Sequence, residues 1–97
     1  MTVREDLIAR IQQVESELRT HAVQAVWLFG SVARNEATAG SDVDVLVDFS
    51  APVTLFQFVR LRRRLEVVLG RRVDLVTREA LKPQLRDRIL SEAIRAA

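Results

Sequence analysis

A chain of 97 residues, 48% apolar and 29% charged, is sized for one domain around one core and excludes a second. It has no cysteine and one histidine, His21, so disulfides, thiolate metal sites and imidazole cages are excluded, and any metal would be a hard cation such as Mg²⁺ held by carboxylates. The net charge is +2 but the pI is near 10.4, because the basic residues are almost all arginine; GC-rich codon usage explains that bias as well as phosphate recognition does, so charge alone does not make a nucleic-acid binder.

In chain order, Thr2 and Glu5 have capping-box spacing, and Val3, Leu7, Ile8, Ile11, Val14 and Leu18 recur at helical spacing, which predicts one amphipathic helix over residues 3–20. Its opposite face includes Glu15 and Arg19 in the stabilising order and is expected in solvent. Ala25 to Phe29 is too short and too apolar for a surface helix and stops at Gly30, which predicts a strand buried on both faces. Ser31 is placed to cap a short helical turn through Glu36, and Ala37 to Ser41 reads as a loop. Val43 to Phe49 is a second strand, with Val43, Val45, Val47 and Phe49 on one face and Asp42, Asp44, Leu46 and Asp48 on the other.

Pro52 ends that strand, and Thr54 with Gln57 forms a second capping box at the head of a helix to about Leu69. Its core stripe is read as Leu55, Phe58, Val59, Arg62, Leu65 and Leu69, with the stem of Arg62 packed at the edge, and Gly70 stands at the C-cap. Arg72 to Thr77 is a third strand enclosing Asp74, and Thr77 with Glu79 begins a short turn. Pro83 opens a last helix carrying Leu85, Ile89, Leu90, Ala93 and Ile94. The order α-β-α-β-α-β-α, without repeat or linker, predicts an α+β fold: a small mixed sheet flanked by helices in one domain over residues 1–97. No apolar run approaches the roughly 18 residues needed to cross a bilayer, and the N-terminus is charged, so a cytoplasmic protein is expected.

Asp42 and Asp44, two apart on a strand, leave one face with alpha carbons roughly 6.5 to 7 Å apart. Carboxylates that close repel unless a cation lies between them, and one or two such carboxylates with phosphate oxygens suit Mg²⁺. Two exposed aspartates at a strand entrance are the plainer alternative. Gly30 allows close backbone approach to a ligand, and Ser31 offers a hydroxyl and amide donors to an anion. Arg34 can add a charge-assisted phosphate contact, or be an ordinary surface arginine. Asp74 on residue type alone is a charged residue on a strand's outer face.

Gly30-Ser31, ten residues, then Asp42-Val43-Asp44 resembles the Gly-Ser-x10-Asp-x-Asp signature of DNA polymerase β-type nucleotidyltransferases. The flanking Leu-Phe-Gly-Ser-x-Ala-Arg and Ser-Asp-x-Asp-x-Leu-Val-Asp-Phe, with an ending like Leu-x-x-x-Ile-Leu-x-Glu-Ala at Leu85 to Ala93, resemble its minimal nucleotidyltransferase (MNT) branch over nearly the whole chain. Where that pattern often has glycine after the arginine, this chain has Asn35, which tolerates a left-handed backbone.

The resemblance implies a polymerase β-like fold in which Gly30 and Ser31, with Arg34, bind the triphosphate of ATP, and Asp42, Asp44 and Asp74 hold two Mg²⁺ ions. Asp74 would also accept the proton of an attacking hydroxyl. Asp48 lies about 13 Å from Asp42 along the strand, too far to share an ion. MNT proteins are antitoxins of HEPN toxins, typically ribonucleases, and transfer AMP from ATP to a toxin tyrosine. The chain contains no tyrosine, so such an acceptor lies on another chain, as expected for a catalytic domain without a second, acceptor-holding domain. Two alternatives stay open. One is an antitoxin that neutralises by binding alone, through the Arg60 to Arg64 segment or the last helix. The other is a nucleotidyltransferase acting on RNA or a small molecule, with Arg62, Arg63, Arg64, Arg71 and Arg72 as a phosphate-binding patch, or simply as a solvated face.

Overall fold

The computed structural model describes residues 2–97. A four-stranded sheet organises them, in the order β3 (Val73–Thr77), β2 (Val43–Phe49), β1 (Val23–Phe29) and β4 (Ile94–Arg95). Strand β1 pairs antiparallel with β2, which pairs parallel with β3. Helices α1 (Val3–Gln13), α2 (Glu15–Thr20) and α4 (Leu55–Leu69) supply Leu7, Ile11, Leu18, Leu61, Leu65 and Leu69 to one core with Val26, Leu28, Val43, Val45, Val47, Val73 and Leu75. Burial of each such leucine contributes about 1.5–3 kcal/mol, which is why the alternation of β2 decides its orientation. Its three valines take the helix-covered face, and the carboxylates are left on the opposite face. Among the described residues no helix is long and apolar enough to cross a membrane.

The α+β class and mixed sheet are as expected, and the caps of α4 form in full. Thr54 Oγ1 accepts from the Gln57 N–H at 3.1 Å, the Thr54 N–H donates to Gln57 Oε1 at 2.7 Å, and Gly70 adopts φ +66. Four expectations need correction. The first helix breaks at Val14, because α1 packs against α4 while α2 packs against β1, two surfaces that one straight helix could not both follow. Strand β1 starts at Val23 and is buried unevenly: Val26 and Leu28 are buried on the helix side and Ala25 on the other, where Trp27 and Phe29 are only half-buried. The buried stripe of α4 is Leu61, Leu65 and Leu69 with Phe58 at its edge, and Leu55 is 77% exposed. Arg62 does lie half-buried at that edge.

The fourth correction concerns the C-terminus. Helix α5 (Pro83–Glu92) begins at Pro83 as predicted but has no fully buried side chain, and Ala93 turns extended. Ile94–Arg95 then forms β4, antiparallel to β1, so Ile94 pairs with Leu28 instead of prolonging the helix. The Ala96 N–H donates to Val26 O at 2.8 Å and the Val26 N–H to Ala97 O at 3.0 Å, which covers the free edge of β1. On that side of the sheet the guanidinium groups of Arg78 and Arg95 lie 5.8 and 5.4 Å from the Trp27 ring centre.

Candidate active site

The strand register puts Phe29, Asp44 and Asp74 in one row: Phe29 is opposite Asp44 on β1, and Asp74 is opposite it on β3. Neighbouring strands are about 4.8 Å apart, and Asp42 lies one pleat beyond Asp44, so three carboxylates leave one corner of the sheet. Asp44 is half-buried there, while Asp42 and Asp74 are exposed. Burial raises the Asp44 carboxyl above the ordinary aspartate value, and the charges of Asp74 and then Asp42 raise it further, against the opposing pull of Arg34.

Gly30 closes the corner. Its φ is +70, and a Cβ there would run into the Asp44 carboxylate, with Asp44 Cγ at 3.1 Å and Asp44 Cβ at 3.4 Å. Glycine is therefore needed both for its backbone and for the space it leaves Asp44. The chain continues as α3 (Gly30–Ala33), anchored by buried Val32 and Ala33, and Asn35 takes the left-handed φ of +60 expected of it. Ser31 lies within this turn and does not cap it; Phe29 is the capping residue and has no side-chain cap bond. Arg34 Nε donates to Glu36 Oε2 at 3.1 Å, and Arg34 Nη1 to Glu92 Oε1 at 3.2 Å. The Gly30 N–H also donates to Glu92 Oε1, at 3.3 Å.

This arrangement joins a carboxylate corner to a turn whose amide and guanidinium hold an anion, on a fold with known counterparts. Residues 11–96 match the nucleotidyltransferase domain family. The chain belongs to that family. The protein adenylyltransferase MntA of Thermococcus cleftensis is 38% identical to this nucleotidyltransferase over 92 residues, covering 87% of this chain and 93% of that one. A solved minimal nucleotidyltransferase is 46% identical with a TM-score of 0.82, covering 97% of this chain and 95% of that one. A solved complex of a tri-AMPylated Shewanella oneidensis HEPN toxin with an MNT antitoxin matches at 19% identity and a TM-score of 0.67, covering 94% of this chain and 71% of that one, a likeness of fold alone.

Among the described residues, no three histidine, cysteine or acidic side chains converge into a ready-made metal cage. The nucleotidyltransferase corner nevertheless fits Mg²⁺, which needs only one or two protein carboxylates when phosphate supplies further oxygens. The donors are all hard oxygens, and the mutual repulsion felt at Asp44 is what a cation would relieve. Asp48 stays outside the corner: it faces Ala25 in the register and lies 3.8 Å from Arg78 Nη1.

The arginine patch does not form as one surface. Arg64 makes a two-pronged bond to Glu17, at 2.6 and 3.0 Å, and Arg71 Nη1 donates to the Thr38 and Ser41 carbonyls. Only Arg63 and Arg72 of the five are exposed, one on α4 and the other in the connection from α4 to β3. Sequence reasoning included Glu92 in the family-like ending at Leu85 to Ala93 but gave it no role at the site. Its signal was a carboxylate in the last turn of a helix, where the helix dipole disfavours negative charge.

Proposed function

We propose that this nucleotidyltransferase is the antitoxin of a HEPN/MNT pair and transfers AMP from ATP to a tyrosine of its partner toxin. The observation that carries this reading is the row of Asp44 and Asp74, with Asp42 beside it, facing the Gly30 turn and Arg34. The adenylyltransferase relative supports protein as the acceptor, and the solved toxin complex supports the toxin as partner. With no tyrosine among the 97 residues, an acceptor tyrosine comes from another chain, and the 1–97 domain acts as the catalytic unit.

In this reading Gly30, Ser31 and Arg34 receive the β and γ phosphates, and Asp42, Asp44 and Asp74 hold Mg²⁺. When bound, Mg²⁺ neutralises phosphate charge and orients the phosphates. Asp74, the exposed member of the row, accepts the proton from the acceptor hydroxyl. The bond from the tyrosine oxygen to the α phosphorus forms as the bond to the bridging oxygen breaks, and diphosphate leaves with the charge that Arg34 balances. Engagement of Arg64 and Arg71 within the chain leaves fewer free arginines for an RNA acceptor.

The test is incubation of the co-expressed toxin with this protein, labelled ATP and Mg²⁺, read by mass spectrometry of the toxin's tyrosines. Wild type should add AMP, and Asp42→Asn together with Asp44→Asn should abolish the addition while leaving the fold intact. Undiminished transfer by the double variant would overturn the metal assignment. Full neutralisation of the toxin after transfer is lost would establish an antitoxin that works by contact alone.

A further inference from the structure

Two donors that the reading above gives to phosphate already hold an anion. The Gly30 N–H and Arg34 Nη1 both donate to Glu92 Oε1, at 3.3 and 3.2 Å, and Arg34 Nη1 also reaches Glu92 Oε2 at 3.4 Å. The Glu92 side chain is 22% exposed, so solvent screens this contact only in part. Packing of half-buried Ile89 and Leu90 brings α5 up to the Gly30 turn but does not by itself call for a carboxylate there. The helix has no fully buried side chain, and its last turn is an unfavourable location for negative charge. Glu92 also adds its charge to the carboxylates that raise Asp44, so it belongs electrostatically to the same corner.

A carboxylate and a phosphate oxygen seek the same donors with similar geometry. They cannot both occupy the Gly30 N–H, and the singly charged, tethered carboxylate faces a ligand with several negative charges. We infer that Glu92 is a built-in competitor of the nucleotide: its carboxylate stands in for phosphate oxygens on Gly30 and Arg34, and nucleotide entry drives it off and releases the end of α5. This inference rests on the phosphate assignment of Gly30 and Arg34. The moving part is defined by its two anchors, buried Leu81 before the helix and the β4 pairing after it, with extended Ala93 as the joint. Because the competitor lowers apparent affinity by the fraction of molecules in which it is seated, it weakens the hold on triphosphate and on the departing diphosphate alike.

The experiment titrates AMP-PNP, with Mg²⁺, into wild type and Glu92→Gln by calorimetry, and follows deuterium uptake of α5 with and without ligand. Glu92→Gln keeps the side-chain shape but loses the charge, and it should bind roughly ten-fold more tightly. In wild type, uptake in α5 should rise on saturation; in the variant it should already be high without ligand. A glutamate that merely anchored the helix would give raised uptake with no gain in affinity, and that result overturns the inference. Adding Arg34→Ala to the Glu92→Gln background tests the assignment beneath it. If that double variant binds less tightly than Glu92→Gln, phosphate does use Arg34, and an unchanged affinity for Glu92→Gln refutes the competitor alone. If Arg34→Ala has no effect in that background, the phosphate assignment falls and takes the inference with it.

Discussion

Replacing Gly30 by alanine should separate the cost of a left-handed backbone from the cost of crowding Asp44, because Gly70 provides a matched control. The two glycines have nearly the same φ, +70 and +66, but a Cβ at Gly70 would meet nothing within 4 Å, whereas one at Gly30 would meet the Asp44 side chain. An alanine in the left-handed region costs about 1–2 kcal/mol. The reduced freedom of the unfolded chain offsets about 0.4–1 kcal/mol of that. Gly70→Ala should therefore lose roughly 1 kcal/mol, which lowers the midpoint of a domain this size by roughly 4–8 °C. Gly30→Ala carries the same backbone cost plus about 1–3 kcal/mol of overpacking, unless the Asp44 carboxylate swings out of its row. Either response displaces Asp44 by the order of 1 Å, and misplacement of that size costs about a hundred-fold in rate. Thermal denaturation and AMP transfer to the toxin, measured on both variants at a temperature where both are folded, check this. Gly70→Ala should keep nearly full transfer and Gly30→Ala should not. Transfer by Gly30→Ala within two-fold of wild type, or an equal loss in both variants, would refute the assigned contact between Gly30 and Asp44.

Asp44→Asn should raise the thermal midpoint at neutral pH in Mg²⁺-free buffer while destroying transfer, since the ionised carboxyl is the disfavoured form in the fold. The sign follows from its raised folded-state value: protonated Asp44 stabilises the fold below the unfolded value near 3.8, and that stability is lost as pH rises through the higher folded value. The advantage of the asparagine variant should therefore vanish at acid pH, and a variant no more stable than wild type at neutral pH would contradict the burial and repulsion described. Leu65→Ala removes a side chain that is 1% exposed between α4 and the sheet, and should cost about 2–5 kcal/mol in a denaturant titration; a loss under 1 kcal/mol would mean that α4 does not pack as described.

Much of the candidate site was legible because its residues are local in the chain. Gly30, Ser31, Asp42 and Asp44 lie within fifteen residues, and the strict alternation of β2 settles which side chains share the aspartates' face. The α4 caps were equally legible, since Thr54, Gln57 and Gly70 act on their own backbone. The α4 stripe was misread because helical spacing admits several neighbouring stripes, and only the position of the sheet selects Leu61 over Leu55. Strand β4 was missed because two residues carry no detectable period; it exists because β1 has an edge to cover.

The sequence by itself determined most of the elements, the family and the candidate pair of half-sites, because spacing and turn chemistry act over a few residues. The tertiary structure decided what those half-sites face. The parallel pairing of β2 with β3 sets Asp74 across from Asp44, thirty positions away in the chain, and the approach of α5 to the Gly30 turn places Glu92 on donors expected to be free. Both depend on strand register and helix packing, in which burial of leucine and valine on the far face of the sheet outweighs the repulsion among carboxylates on the near one.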